Sequence, residues 1–349
     1  MKNILFATFA AAAIASSASA QVNYSTTAFS TFKTLTQINS DISPLTATQI
    51  DGVVVDAANG RAIINLRENT TNNINYYAIY SLTGDYIGVT PNLDAQDTLD
   101  TPTPDFRSTG IVVVGGNVVA GDFGNEGTGA DSLKQITIPG GVLTELLEST
   151  SLEGLDDLDV LSNGNIVVGR GFNNGGNSSL VEVTPAGALT GNTFALGATA
   201  NGDTISVQGL SNGDVFVLDR SFNRFNRVTG FPGGSAAIAQ LTISGYTPTT
   251  PNGLSAVGTT VFFSDRGGAA ADTIYVYDPL TNTLITSIAD DVYASDAVSP
   301  NDRDGLAAYS INANQVGLLV GDFNDTGVYR IVFGSAPVSN VESWNLYSY

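Results

Sequence analysis

Hydrophobic positions along this chain fall in short runs rich in Val, Ile, Leu and Phe, each bounded by Gly, Asn, Asp or Pro. No segment sustains apolar i, i+3, i+4, i+7 spacing with helix caps, so the runs predict strands and a helical solenoid is disfavoured. The runs also recur. "NGRAIINLR" (59–67), "GGNVVAGDF" (115–123), "NGNIVVGRG" (163–171), "NGDVFVLDR" (212–220), "VGTTVFFSDR" (257–266) and "NANQVGLLVGDF" (312–323) align with one another. Anchored on Gly60, Gly116, Gly164, Gly213, Gly258 and Ala313, they are spaced by 56, 48, 49, 45 and 55 residues.

Each unit reads as four strands. In the fourth, "TISVQGL" leads through Ser211-Asn212-Gly213-Asp214 into "VFVLDR"; "RFNRVTG" follows, then a Phe-Pro-Gly-Gly turn and "AAIAQLTI". Asn-Gly is a hairpin signal because the turn needs positive φ, and the flanking β-branched and aromatic runs suit buried strands. Four antiparallel strands repeated about every 40–50 residues mark a β-propeller. The prediction is therefore an all-β single domain with six four-stranded blades. Its last blade is closed either by an outer strand from "STTAFSTFKTLTQI" (25–38) or by the tail "NVESWNLYSY" (340–349).

Residues 1–20 stand outside the repeat. Lys2, the apolar Ile4–Ile14 and Ala18-Ser19-Ala20 have the order of a signal peptide cleaved near Ala20-Gln21, which leaves residues 21–349 as the propeller and predicts export to the periplasm or medium. No Cys follows the cleavage site to carry a lipid, and no later apolar run is long enough to span a bilayer.

Composition narrows the chemistry. Against 33 acids stand 13 bases, a net charge of −20, so nucleic-acid binding is not expected, whereas cations or a saline environment are favoured. With no Cys there are no disulfides; with no His there is no Ser-His-Asp triad and no usual zinc, copper or haem ligand set. Lys33 and Lys134 are the only lysines after residue 20. Any catalysis would fall to carboxylates, Tyr, Arg or a hard cation.

In a propeller, the loops entering the innermost strands share one face with the loops joining second to third strands, and ligands meet the protein there. The entering segments place Asp51, Asp156 or Asp157, and Asp304 where inward carboxylates would approach the axis, an oxygen-only set suited to calcium or magnesium. Asn252 and Arg303 complete the candidates of the ligand-binding face. Each Asn or Asp before an inner strand also has a structural reading as a turn cap. The Asp219-Arg220 and Asp265-Arg266 pairs read as blade-to-blade braces before they read as anion forks. The loop "GDFGNEGTGADS" (121–132) lacks the ligand order of an EF-hand, and Tyr76, Tyr77 and Tyr80 read as sheet cover. Asn69-Thr70-Thr71 and Asn177-Ser178-Ser179 are formal glycosylation sequons.

Pro251-Asn252-Gly253-Leu254, then Asp304-Gly305-Leu306 one blade later, together with "DGVVVDAANGRAIIN" (51–65), resemble the six-bladed gluconolactonase/SMP-30 and NHL-type propellers. The resemblance implies a divalent metal held in part by Asn252 and Asp304. Where the family has its further Asn and Glu, this chain offers Thr204 and the Ser108-Thr109 pair. Two functions follow. One is an exported binding module for a partner, a glycan or matrix material, which the missing chemistry favours. The other is a calcium- or magnesium-dependent lactonase or esterase, with Asn252 and Asp304 as ligands and Asp51 or Asp156 as base.

Overall fold

The structure, a computed structural model, describes residues 22–25, 27–68, 74–97, 108–122, 130–171, 178–197, 205–265, 273–289, 305–321 and 327–334. After β1 (Thr27–Thr34) and the short helix α1 (Leu35–Asp41), the chain builds one sheet after another. The first blade is β2 (Gln49–Asp56), β3 (Arg61–Glu68), β4 (Ile74–Ser81) and β5 (Tyr86–Val89). The second is β6 (Ser108–Val114), β7 (Asn117–Asp122), β8 (Asp131–Ile136) and β9 (Leu143–Ser149). The third is β10 (Leu155–Val160), β11 (Ile166–Arg170), β12 (Ser179–Val183) and β13 (Leu189–Ala195). The fourth is β14 (Ile205–Gly209), β15 (Val215–Asp219), β16 (Arg224–Thr229) and β17 (Ala237–Leu241). The fifth is β18 (Pro251–Val257), β19 (Thr260–Asp265), β20 (Thr273–Asp278) and β21 (Thr283–Ala289). The sixth takes β22 (Gly305–Asn312), β23 (Gln315–Gly321) and β24 (Gly327–Phe333), and its outer strand is β1, antiparallel to β24 with Thr27 opposite Phe333 and Thr34 opposite Gly327.

The protein is thus a six-bladed β-propeller closed by its N-terminal strand. The closing strand is shorter than the stretch 25–38 suggested. It ends at Thr34, whose hydroxyl accepts the Gln37 amide at 3.1 Å while the Gln37 side chain accepts the Thr34 amide at 2.9 Å, a capping box that turns the next residues into α1. The tail 340–349, the competing closure, lies outside the described residues.

Burial explains the strand sequences. Second and third strands lie between two neighbouring blades, so both faces are covered and β15 is buried at every position. Outer strands meet water, and β13 is exposed at most of its length. Because side chains alternate, each strand feeds two cores. Val167 of β11 packs with Ile205 and Val217 of the fourth blade, while Ile166 and Val168 pack with Val119 of the second. The described core divides accordingly into a cluster at each blade junction. Tyr76 and Tyr80 fill the sixth–first junction and Tyr77 the first–second, so all three tyrosines are core. At the fourth–fifth junction, Phe225 packs against Phe263 with ring centroids 4.8 Å apart. Each such fully buried ring contributes roughly 1.5–3 kcal/mol.

The Asn-Gly hairpins differ in one respect from the expectation. Only the glycine is left-handed, φ 85° at Gly164 and 90° at Gly213. Leu210 donates to Asp214 O at 2.8 Å and Gly213 to Leu210 O at 2.9 Å, so the loop has three residues with glycine last. Among the described residues, no helix is long and apolar enough to cross a membrane.

Candidate ligand-binding site at the propeller axis

Six inner strands bring their unpaired edges to the axis and enclose a cavity of about 390 Å³. Asp51, Asp156, Asp157 and Asn252 line it, joined by Asp159, Ser206, Gln208, Arg220 and Ser255. Of the other candidates, Arg303 and Asp304 lie outside the described residues, as do Thr204, Arg266, the sequon residues Asn69 and Asn177, residues 1–20 and most of the 121–132 loop.

The cavity's carboxylates are held by other protein groups. Asp51 Oδ2 is 2.7 Å from Arg67 Nε. The acids of β10 turn toward the next blade. Asp156 accepts the Ile205 amide, Asp157 Oδ2 accepts the Val207 amide at 2.9 Å, and Asp159 Oδ2 accepts the Gly209 amide at 2.7 Å and the Gln208 side-chain amide. These are alternate residues along the edge of β14 that faces away from β15, where inner-strand amides have no sheet partner. "LDDLDV" is therefore a strand whose acids replace a missing strand. At the fifth–sixth junction a hydroxyl plays this part, with Ser255 Oγ accepting the Ala308 amide at 2.9 Å.

Arg220 spans three blades. From the end of the second strand of blade four, its Nη1 donates to Asn252 Oδ1 at 2.7 Å in blade five, and its Nη2 lies 3.6 Å from Asp156 Oδ1 in blade three. Asp219 accepts the Phe222 amide of its own turn at 3.1 Å. Asp265 gathers the segment entering blade five by accepting the Thr249 and Thr250 amides at 2.9 and 2.7 Å and the Tyr246 hydroxyl.

The wall shifts its own acids. Burial pushes the Asp157 carboxyl up to about 6 against the pull of the Val207 and Leu158 amides and of Arg220. Burial pushes Asp159 up to about 7, and the neighbouring charge of Asp157 adds to it. The Asn252 oxygen proposed for a cation faces a guanidinium instead. Among the described residues no group of three or more carboxylates is placed to hold a metal ion. Asp159, Gln208 and Arg220 were not singled out as cavity residues from sequence. The signal was present as acids spaced two apart in a strand that begins a blade.

No family model matches the chain, and no curated protein matches its sequence. Solved structures do. A DUF4623 family protein from Bacteroides eggerthii superposes with a TM-score of 0.57 at 11% identity, over 91% of this chain and 77% of that one. A protein of unknown function from Dyadobacter fermentans gives 0.54 at 12% identity, over 83% and 95%. Virginiamycin B lyase from Staphylococcus aureus, as a catalytically inactive variant with quinupristin, gives 0.51 at 14% identity, over 88% and 99%. At such identities these likenesses speak for the fold alone, and function is to be argued from the axial site.

Proposed function

We propose that this is an exported binding module, its signal peptide being residues 1–20, which takes a polar, non-anionic ligand such as a glycan at the axial cavity and the loops around it. One observation carries the reading. Asp156, Asp157, Asp159, Arg220, Asn252 and Ser255 of the lining are fixed by blade-to-blade bonds, Arg220 to Asn252 at 2.7 Å foremost, which gives a preorganised polar wall. The acid-rich lining disfavours anions. The metal-dependent lactonase reading draws less support, since Asn252 would have to exchange Arg220 for the cation. The test is calorimetric titration of chelator-treated mature protein with calcium, then with neutral and basic oligosaccharides, alongside a lactone and ester hydrolysis assay. Saturable oligosaccharide binding without turnover is the expected result. Calcium-dependent hydrolysis that disappears in Asn252→Ala would overturn it.

A further inference from the structure

The turn between β15 and β16 serves the axial cavity with one residue and presents another to water. Arg220 reaches from it into the cavity lining and holds Asn252 at 2.7 Å. Phe222, two residues on, is 52% exposed, and two residues of chain keep its Cα within about 7.6 Å of that of Arg220. A lone exposed apolar residue needs no explanation by itself. The setting of this one does. Among the described residues, the other exposed large apolar side chains stand on outer strands, as Tyr86 and Leu189 do, or at the opposite end beside first–second and third–fourth turns, as Ile311 and Leu280 do. Phe222 alone is on the face where the inner strands begin.

The turn is also fixed. Asp219 Oδ1 accepts the Phe222 amide at 3.1 Å. Asn223 adopts left-handed backbone, φ 53°, and donates its amide to Arg220 O at 3.4 Å. Its side-chain Nδ2 donates to Thr249 O at 3.0 Å, which ties the turn to the segment entering blade five. The Arg224 guanidinium carbon lies 4.9 Å from the Phe222 ring centroid, over one of the two ring faces. The tied segment is hydroxyl-rich. Asp265 takes the Thr249 and Thr250 amides at 2.9 and 2.7 Å, while Thr247, Thr249 and Thr250 are exposed and their hydroxyls have no protein partner among the described residues.

We propose that this rim between blades four and five is a saccharide subsite, in which the Phe222 ring stacks on the C–H face of one pyranose unit and the neighbouring threonine hydroxyls bond its edge, so that a glycan chain runs from the rim past Arg220 and Asn252 into the axial cavity. The subsite rests on the glycan reading of that cavity. A pyranose ring has an apolar face of C–H groups and hydroxyls around its edge, and a flat aromatic ring beside hydroxyls that both donate and accept matches the two together. A protein partner would call for a contiguous apolar patch. Here the ring is flanked by Ser221, Asn223 and the threonines. The bonds that hold the turn spare the ligand the cost of ordering it.

Calorimetric titration of the mature protein with cellohexaose and with a chitosan hexasaccharide, one neutral and one basic, tests the subsite in wild type, Phe222→Ala and Phe222→Tyr. Phe222→Ala is expected to weaken binding about five- to tenfold, and Phe222→Tyr, which keeps the flat ring, to stay within about twofold of wild type. Both variants are expected to keep the wild-type Tm, because the exposed ring contributes little to the core. Wild-type binding that Phe222→Ala leaves within about twofold would overturn the rim subsite and leave the axial reading standing. No saturable binding of either sugar by wild type would overturn both.

Discussion

Single residues reveal how closely the blades approach. An alanine methyl at Gly110 would lie 2.6 Å from Asp157 Oδ1 and 2.8 Å from the Leu158 amide nitrogen, so the inner strands of blades two and three meet almost backbone to backbone. Gly110→Ala is expected to cost about 1–3 kcal/mol, read as a lower urea midpoint at unchanged m, because one of the two strands must shift. Lys134 is the opposite case, a cation where β8 is otherwise enclosed. Its Nζ lies 3.0 Å from Asp97, 3.8 Å from Asp122 and 3.9 Å from Glu145, and its side chain is 0% exposed. Lys134→Met leaves these acids without the cation and should destabilise by about 3–5 kcal/mol in the same urea titration; a loss below about 1 kcal/mol would mean the charges are worth little. Neither environment was legible in the sequence. Gly110 looks like any strand-starting glycine, and nothing local tells that acids from a connecting segment and two strands converge on Lys134.

At the level of elements, the repeat was legible because each blade's second strand is covered on both faces and must be a continuous apolar run. The closure was only half legible. "TAFSTFKT" and the C-terminal tail both offer apolar and aromatic residues for an outer strand, and pairing with β24 depends on where the sixth blade ends in space. That pairing has a sensitive point at Gly327, φ 152°, where a Cβ would meet Lys33 O at 2.3 Å. Lys33 is otherwise held by Asp41 at 3.0 Å and lies over the Tyr80 ring at 4.8 Å. Gly327→Ala should push the end of β1 off the sheet, and limited trypsin digestion should cut after Lys33 several-fold faster than in wild type. An unchanged rate would place the ring's weak point elsewhere. The inner strands were read correctly as strands but not in their bonding. Asp156 and Asp157 of "LDDLDV" suggested ligands at the axis because sequence does not indicate which side of an inner strand faces the neighbouring blade's free edge.

The whole molecule combines net charge −20 with carboxyls whose folded environment disfavours ionisation. Burial raises Asp131, like Asp157, to about 6, and Asp159 to about 7. A raised carboxyl binds its proton more tightly folded than unfolded. The folded state therefore holds more protons between the unfolded value, 3.8, and these folded values, and stability must decline as pH rises through that window. Mutual repulsion of the excess acids acts in the same direction, since they are more fully ionised at higher pH. Glu182 sets the acid limit. Burial opposes its ionisation, but Asn163, Asn165, Asn192 and Thr190 donate to it at 2.7–2.8 Å and hold it below its ordinary value of 4.5. Its contribution is present above that value and lost as pH falls through the folded one. The stability optimum should thus lie near pH 5, set by charge rather than by the core. Scanning calorimetry is expected to give a Tm at pH 5.5 about 5 °C or more above that at pH 8.5, with added salt narrowing the gap by screening the surface share alone. If half-molar salt abolished the gap, surface repulsion would explain all of it, and the raised acids of the second and third blades would have no part in the pH response.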